Sequence, residues 1–397
     1  MLTPALALLC LVATPAAALS PGDISAAART TTSGLTVVRR LASDGLGGRD
    51  NATPESARAQ RYILRRLRRL GDDAYRQPFV QSGQSGTNLL VVVRGRELPD
   101  EYVIVGAHYD HLGTRSAPDG TCRANGTPGG AVCNGATDNA AGVAAVLGVG
   151  RALRRLPSRP RRSIVLALWD AEEDGLLGSL YYVTHPVVPL GASVAYVNFD
   201  ILGAQLVPSL AATTFAVSSE TGGAALAAAV DAAAAGEPVV VRRLSHIFGQ
   251  LRSDYANFVA HQVPTVFFSD STGPCYHATG DDVARVDFPK LRAQTRIAVR
   301  LVATLAETVT PPTFVPPNPA LATYADAVVL HDVFETGLAD LDVFPAPARP
   351  GLLALLADLR RIVDDGVAAF DADDVAALLD GALRGIAAIQ SLGCPPP

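Results

Sequence analysis

Ser163-Ile164-Val165-Leu166-Ala167-Leu168-Trp169-Asp170-Ala171-Glu172-Glu173-Asp174-Gly175 is an unbroken apolar run that ends in four acids within five residues. Its length suits a strand, and the absence of polar alternation means that both faces are buried. Such a strand belongs in the middle of a sheet with helices on either side. The chain repeats the pattern outward from there. Strand-like runs are read at 88–93, 102–107, 194–199, 213–217, 238–242 and 265–268, and helical stretches at 139–156, 221–235 and 288–307 separate or follow them. Two further helices are expected upstream, at 26–41 and 55–70. The fold class is therefore α/β: a three-layer sandwich with a central mixed, mostly parallel sheet covered by helices on both faces. A stiff linker at 311–320 carries Pro311, Pro312, Pro316, Pro317 and Pro319. It divides a main domain over 19–310 from a small C-terminal helical appendage over 321–397, with helices expected at 352–364 and 373–392.

In open α/β sheets, ligands gather beyond the carboxyl ends of the strands. Here those ends carry polar clusters. The run Val103-Ile104-Val105-Gly106-Ala107 stops at His108, with Asp110 two positions on. Neutral imidazole is a good metal ligand, and a nearby carboxylate can fix its tautomer. Asp138 lies in Gly135-Ala136-Thr137-Asp138-Asn139-Ala140-Ala141-Gly142, where a loop feeds a helix. An aspartate there is ordinarily an N-cap, but small neighbours would let two metals approach one carboxylate. Glu172 and Glu173, adjacent on extended chain, should face different partners, which suits one metal ligand and one general base. The apolar run Tyr196-Val197-Asn198-Phe199 ends at Asp200, and Pro274-Cys275-Tyr276-His277 is followed by Asp281 and Asp282. Core packing alone does not bring two histidines and this many carboxylates to successive strand ends.

The set resembles family twenty-eight of the metallopeptidases (clan MH), the zinc aminopeptidases and their relatives. The matching pieces are His108-Tyr109-Asp110, Thr137-Asp138-Asn139 with Gly142, Glu172-Glu173 with Gly175-Leu176-Leu177-Gly178-Ser179, Asn198-Phe199-Asp200, Ser253-Asp254, and Tyr276-His277 with Asp281. They span roughly 88–302. The resemblance implies two zinc ions per chain, with Asp138 bridging them. Glu173 and His277 would complete one set of protein ligands, and His108 and Asp200 the other. Glu172 would be the general base, Asp110 would orient His108, and Asp281 would support His277. The implied reaction is removal of N-terminal residues from a peptide substrate by a hydroxide bridging the zincs. Where many relatives have His after the Ser-Asp pair, this chain has Tyr255, and 246–252 lacks the tyrosine some relatives place there; His246 and Gln250 are the candidates to assist the oxyanion instead. A single-zinc, glutaminyl-cyclase-like enzyme and a carboxypeptidase of the same fold are the alternatives. Arg242, Arg243 and Arg252 are candidate partners for a C-terminal carboxylate. A non-catalytic binding module would be expected to lose ligands that are all present.

The remaining features exclude other classes. A net charge of −5 argues against a nucleic-acid partner. The basic helix at 55–70 reads as a solvated surface helix rather than a membrane anchor, and stable membrane insertion is not expected. Neither a Gly-x-Ser-x-Gly elbow nor a His-Glu-x-x-His helix occurs. Residues 1–18 read as a signal peptide, with an apolar run at 6–12 and a small-residue cleavage site at 15–18. Leu9 before Cys10 argues against lipidation. Export to a secreted or periplasmic location would suit disulfides among Cys122, Cys133, Cys275 and Cys394. Cys122 and Cys133 bracket a short loop and form a plausible pair, which leaves Cys275 and Cys394 as the remainder.

Overall fold

Alternate residues of the central strands are buried against two different layers, and this sets the architecture. The structure, a computed structural model, describes residues 18–116, 121–124, 130–318 and 321–394. The signal segment and Cys10, and the end of the linker at Pro319, lie outside the described residues except for position 18. Among the described residues the strands are β1 (Asp73–Gln81), β2 (Gln84–Val93), β3 (Leu98–His108), β4 (Arg162–Trp169), β5 (Ser193–Phe199), β6 (Thr213–Val217), β7 (Val240–Leu244) and β8 (Thr265–Ser269). They form one sheet in the order β1-β2-β4-β3-β5-β8-β6-β7. The pairs β3·β4, β3·β5, β5·β8 and β6·β7 are parallel, and β1·β2, β2·β4 and β6·β8 antiparallel, so the sheet is mixed and mostly parallel.

The helices are α1 (Pro21–Arg29), α2 (Leu35–Leu41), α3 (Pro54–Leu67), α4 (Ala141–Leu153), α5 (Leu177–Thr184), α6 (Gly223–Ala234), α7 (Tyr255–Ala260), α8 (Phe288–Glu307), α9 (Tyr324–Gly337), α10 (Arg349–Asp365) and α11 (Ala372–Gln390). Ile164, Leu166 and Leu168 of β4 pack into a core with α1–α4, α6 and α8. Val165, Ala167 and Trp169 pack the opposite way, into a second core with α5, α7 and α9–α11. The C-terminal helices thus complete the layer on the second face of the sheet.

Several elements differ from their sequence reading. The helix expected at 26–41 is two, α1 and α2. Thr30 turns its hydroxyl onto the carbonyl of Ala27 at 2.7 Å, a local bond that competes with helix continuation, and Gly34 takes a left-handed φ of 75°. Strand β1 has no counterpart in the sequence reading: five of its nine residues are exposed, leaving a weak periodic signal at a sheet edge. Helix α9 has none either, because its Val-Val and Val-Phe pairs have poor helical propensity. Strand β7 begins two residues later than its apolar run. Cys122 pairs with Cys133 across the short loop as expected, and Cys275 with Cys394, the remaining two. No helix among the described residues is long and apolar enough to cross a membrane.

Candidate metal centre

All five expected ligands converge at the carboxyl end of the sheet. His108 ends β3, Glu172 and Glu173 follow β4, Asp200 follows β5, Asp138 precedes α4, and His277 lies in the loop after β8. His108 Nε2 stands 3.2 Å from Asp138 Oδ1 and 3.2 Å from Asp200 Oδ1. His277 Nε2 stands 3.5 Å from Asp138 Oδ2 and 3.1 Å from Glu173 Oε2. Asp138 therefore presents one oxygen to each histidine. The groups His108–Asp138–Asp200 and His111–Asp138–Glu173 each offer ligand atoms within 4.8 Å of one another. These are nitrogen and oxygen donors of the kind zinc takes at catalytic sites, and nearly all are buried. Acids this close in a dry site repel unless a cation lies among them, so the donor set fits one or more zinc ions.

Local structure explains each placement. Asp138 does not cap α4. Its φ and ψ, −114° and 91°, are non-helical. Asn139 engages the first turn of the helix instead, with Oδ1 accepting from Gly142 N at 3.0 Å while Nδ2 donates to Phe199 O at 2.8 Å. The Asp138 carboxylate is thereby left for the site. Asp281, expected beside His277, instead grips the segment of Asp138. It accepts from the amides of Thr137 and Asp138, both at 3.0 Å, and from the Thr137 hydroxyl at 2.8 Å. Glu172 and Glu173 do face different partners, though by a turn rather than by strand alternation: β4 stops at Trp169 and Ala171 has a φ of 55°. Glu172 Oε2 is 3.8 Å from His108 Nε2, farther than the two aspartates that contact the same atom. Asp110 sets Oδ1 3.6 Å from His108 Nδ1 and accepts from Glu173 N at 3.1 Å on Oδ2.

Electrostatics follow from burial and proximity. Burial raises the proton affinity of Glu172 well above that of an ordinary carboxyl, and Asp200 is raised by the same cause. Burial also works against ionised Asp138 and Glu173, but neighbouring histidines outweigh it. Asp138 is held well below the usual range and Glu173 at about 2. Burial would lower His277, but Glu173 and Asp138 raise it to about 10. Asp254, of the Ser-Asp pair, is pushed up to about 7 by burial. Beneath the site runs a relay: Trp169 Nε1 donates to Tyr196 Oη at 2.8 Å, Tyr196 to Asn198 Oδ1 at 2.6 Å, and Asn198 Nδ2 to Ser253 Oγ at 2.8 Å.

Two residues of the site escape the sequence reading. His111 lies 2.6 Å by Nδ1 from Glu173 Oε1; its signal is the second histidine of His108-Tyr109-Asp110-His111. Arg49 is fully buried and donates to the carbonyls of Tyr109 (2.9 Å), Leu41 (2.7 Å), Asn134 (2.5 Å) and Gly135 (3.0 Å). Burial lowers its pKa to about 10, which leaves it a fixed cation beneath Asp110, Asp281 and Asp138. Nothing in the sequence sets it apart from the chain's other arginines. Of the expected oxyanion candidates, His246 is engaged by Ser218 Oγ at 2.9 Å, whereas Gln250 lines the cavity beside the acids. Of the candidate arginines, Arg242 pairs with Asp332 and Arg243 with Asp231, while Arg252 lines the cavity and donates to Tyr276 Oη at 3.1 Å.

A model described as Peptidase family M28 matches residues 88–302. A probable glutamate carboxypeptidase, LAMP1 of Arabidopsis thaliana, is 33% identical over 210 residues, 49% of this chain and 27% of that protein. The chain spans well under half the length of the first curated relatives it matches. The fold is shared with the aminopeptidase LapA of Legionella pneumophila, at a TM-score of 0.61 and 17% identity over 76% of this chain and 79% of that one. It is shared also with the glutaminyl cyclase of Porphyromonas gingivalis, at 0.56 and 20% identity over 68% and 96%.

Proposed function

Because the chain belongs to peptidase family M28, we propose that it is a zinc-dependent exopeptidase that removes N-terminal residues from peptides, with two zinc ions and Glu172 as general base. The observation that carries this reading is the placing of Asp138 between the two histidines, one oxygen toward each. On this reading His108, Asp138 and Asp200 hold one ion, and Asp138, Glu173 and His277 the other. Zinc, when bound, supplies a Lewis acid for the scissile carbonyl and acidifies water. Glu172 takes the proton of the attacking water and passes it to the departing amine, a role its raised proton affinity suits. Asp110 steadies His108 through its backbone carbonyl, 3.3 Å from Nδ1, and the backbone of Glu173 through Oδ2. The carboxylates lining the cavity favour a substrate's free ammonium group. Export of the chain is part of the same proposal and agrees with its two disulfides.

One observation favours a second reading. Arg252 lines the cavity, and a C-terminal carboxylate could meet it there, as a carboxypeptidase requires. The test counts zinc in the purified protein and follows hydrolysis of peptides with free, N-acetylated and C-amidated ends, before and after chelation. Two zincs with cleavage confined to free N-termini is the expected result. Cleavage of acetylated but not amidated peptides would turn the assignment to a carboxypeptidase. One zinc without peptide hydrolysis would turn it to cyclase-like chemistry.

A further inference from the structure

The cavity at the metal centre has a volume of about 210 Å³, and two different parts of the chain build it. Glu172 and Asp200 line one end. Its apolar lining is shared between residues inside the 88–302 family match, among them Leu206, Phe215 and Phe267, and residues outside it, Phe334 of α9, Leu356 of α10 and Ile386 of α11. We infer that the three C-terminal helices are the substrate-selecting wall of this enzyme, and that they accept a large aliphatic or aromatic side chain on the residue whose amine sits at the carboxylates. The inference rests on the aminopeptidase reading for the name of its occupant.

Three observations support it. The cavity is continuous from the carboxylates to the apolar helices, so the side chain of a residue held at the carboxylates has the apolar lining within reach. Its size is compatible: an apolar cavity of roughly 150 Å³ takes a benzene ring, and the cavity measures about 210 Å³ with the carboxylate end included. The wall is also fixed relative to the chemistry. Asp326 of α9 accepts from Ser245 N and Oγ, each at 2.7 Å, just beyond β7, and Arg242 of β7 pairs with Asp332. Gln390 at the end of α11 donates to Thr272 Oγ1 at 3.0 Å, and Cys394 is bonded to Cys275, two residues before His277. An unanchored helical tail could not discriminate between side chains, because selectivity needs a wall that does not yield.

The test uses the zinc-loaded full chain and two substitutions of opposite sense. Ala382→Phe fills the cavity from α11, and Ile386→Ala widens it. Two readouts are taken: the ratio of kcat/KM for leucine over alanine p-nitroanilides, and calorimetric binding of glycine, leucine and phenylalanine hydroxamates. The unsubstituted protein should bind leucine hydroxamate at least about tenfold tighter than the glycine compound, the effect of burying one such side chain. Ala382→Phe should lower both the leucine:alanine ratio and the leucine:glycine binding ratio by about tenfold or more, and Ile386→Ala should raise preference for phenylalanine over leucine. Ratios unmoved by a folded variant of either kind would overturn the inference while leaving the peptidase reading intact. A binding preference that Ala382→Phe abolishes, in a protein that cleaves no aminoacyl substrate, would uphold the wall and sink the aminopeptidase reading.

Discussion

Glu172 and Glu173 are neighbours in the chain, and their surroundings separate them. Glu173 is held ionised between His111 and His277, as a ligand must be, whereas Glu172 is raised by burial and stands back from His108. Glu172→Gln should therefore lower kcat by about 10²–10⁴-fold, the usual scale of general-base catalysis, with zinc per chain unchanged. Loss of zinc together with activity would make Glu172 a ligand instead. His111 contacts Glu173 through the oxygen that His277 leaves, so His111→Ala should weaken zinc retention by about 10–100-fold in competition with a chelator, with circular dichroism unaltered. The candidate ligands and base are legible in the sequence because they cluster where apolar runs end or loops begin, and their roles because those clusters resemble the family's. His111 and Arg49 are not. The one follows a motif already accounted for, and the other acts through backbone carbonyls that carry no sequence signature.

At the scale of elements, legibility tracks burial. The central strands, hidden on both faces, announce themselves as unbroken apolar runs, and α8 is readable to its ends because its apolar stripe is long and Asp287 caps it. Edge strand β1 and the Val-rich α9 owe their state to neighbours rather than to their own composition. The same holds for the turn at Ala171, where tertiary context rather than strand pleating aims the two glutamates. The Cys275–Cys394 bond joins the end of α11 to the loop of His277 across 119 residues of chain. Replacing both cysteines by serine should cost about 2–4 kcal/mol of stability, measured by guanidinium unfolding of the oxidised wild type against the variant. Equal midpoints would show that packing alone holds α11.

Across the whole molecule, the centre draws on most of the chain, from Arg49 to the helix that ends at Gln390. A cation that binds only the folded state adds its binding energy to folding. Free metal a hundredfold above its Kd is worth about 2.7 kcal/mol. Chelation should accordingly lower Tm in scanning calorimetry, and zinc should restore it. An unchanged Tm would mean that the buried carboxylates are compensated without an ion. The Pro-rich segment reads as a border, yet the helices beyond it share a core with the sheet; composition reveals a stiff connection but not where the chain goes afterwards. Arg49 has a further consequence. Its guanidinium rivets the loop after β3 and the approach to Asp138 to the end of α2 through four carbonyls. Opening at Tyr109 or at Asn134–Gly135 must draw a charged group out of a dry socket, so these segments and the end of α2 should open as a single cooperative unit or not at all. The segments around Tyr109 and Gly135 are thereby denied the private, low-energy fluctuations by which surface segments ordinarily admit proteases.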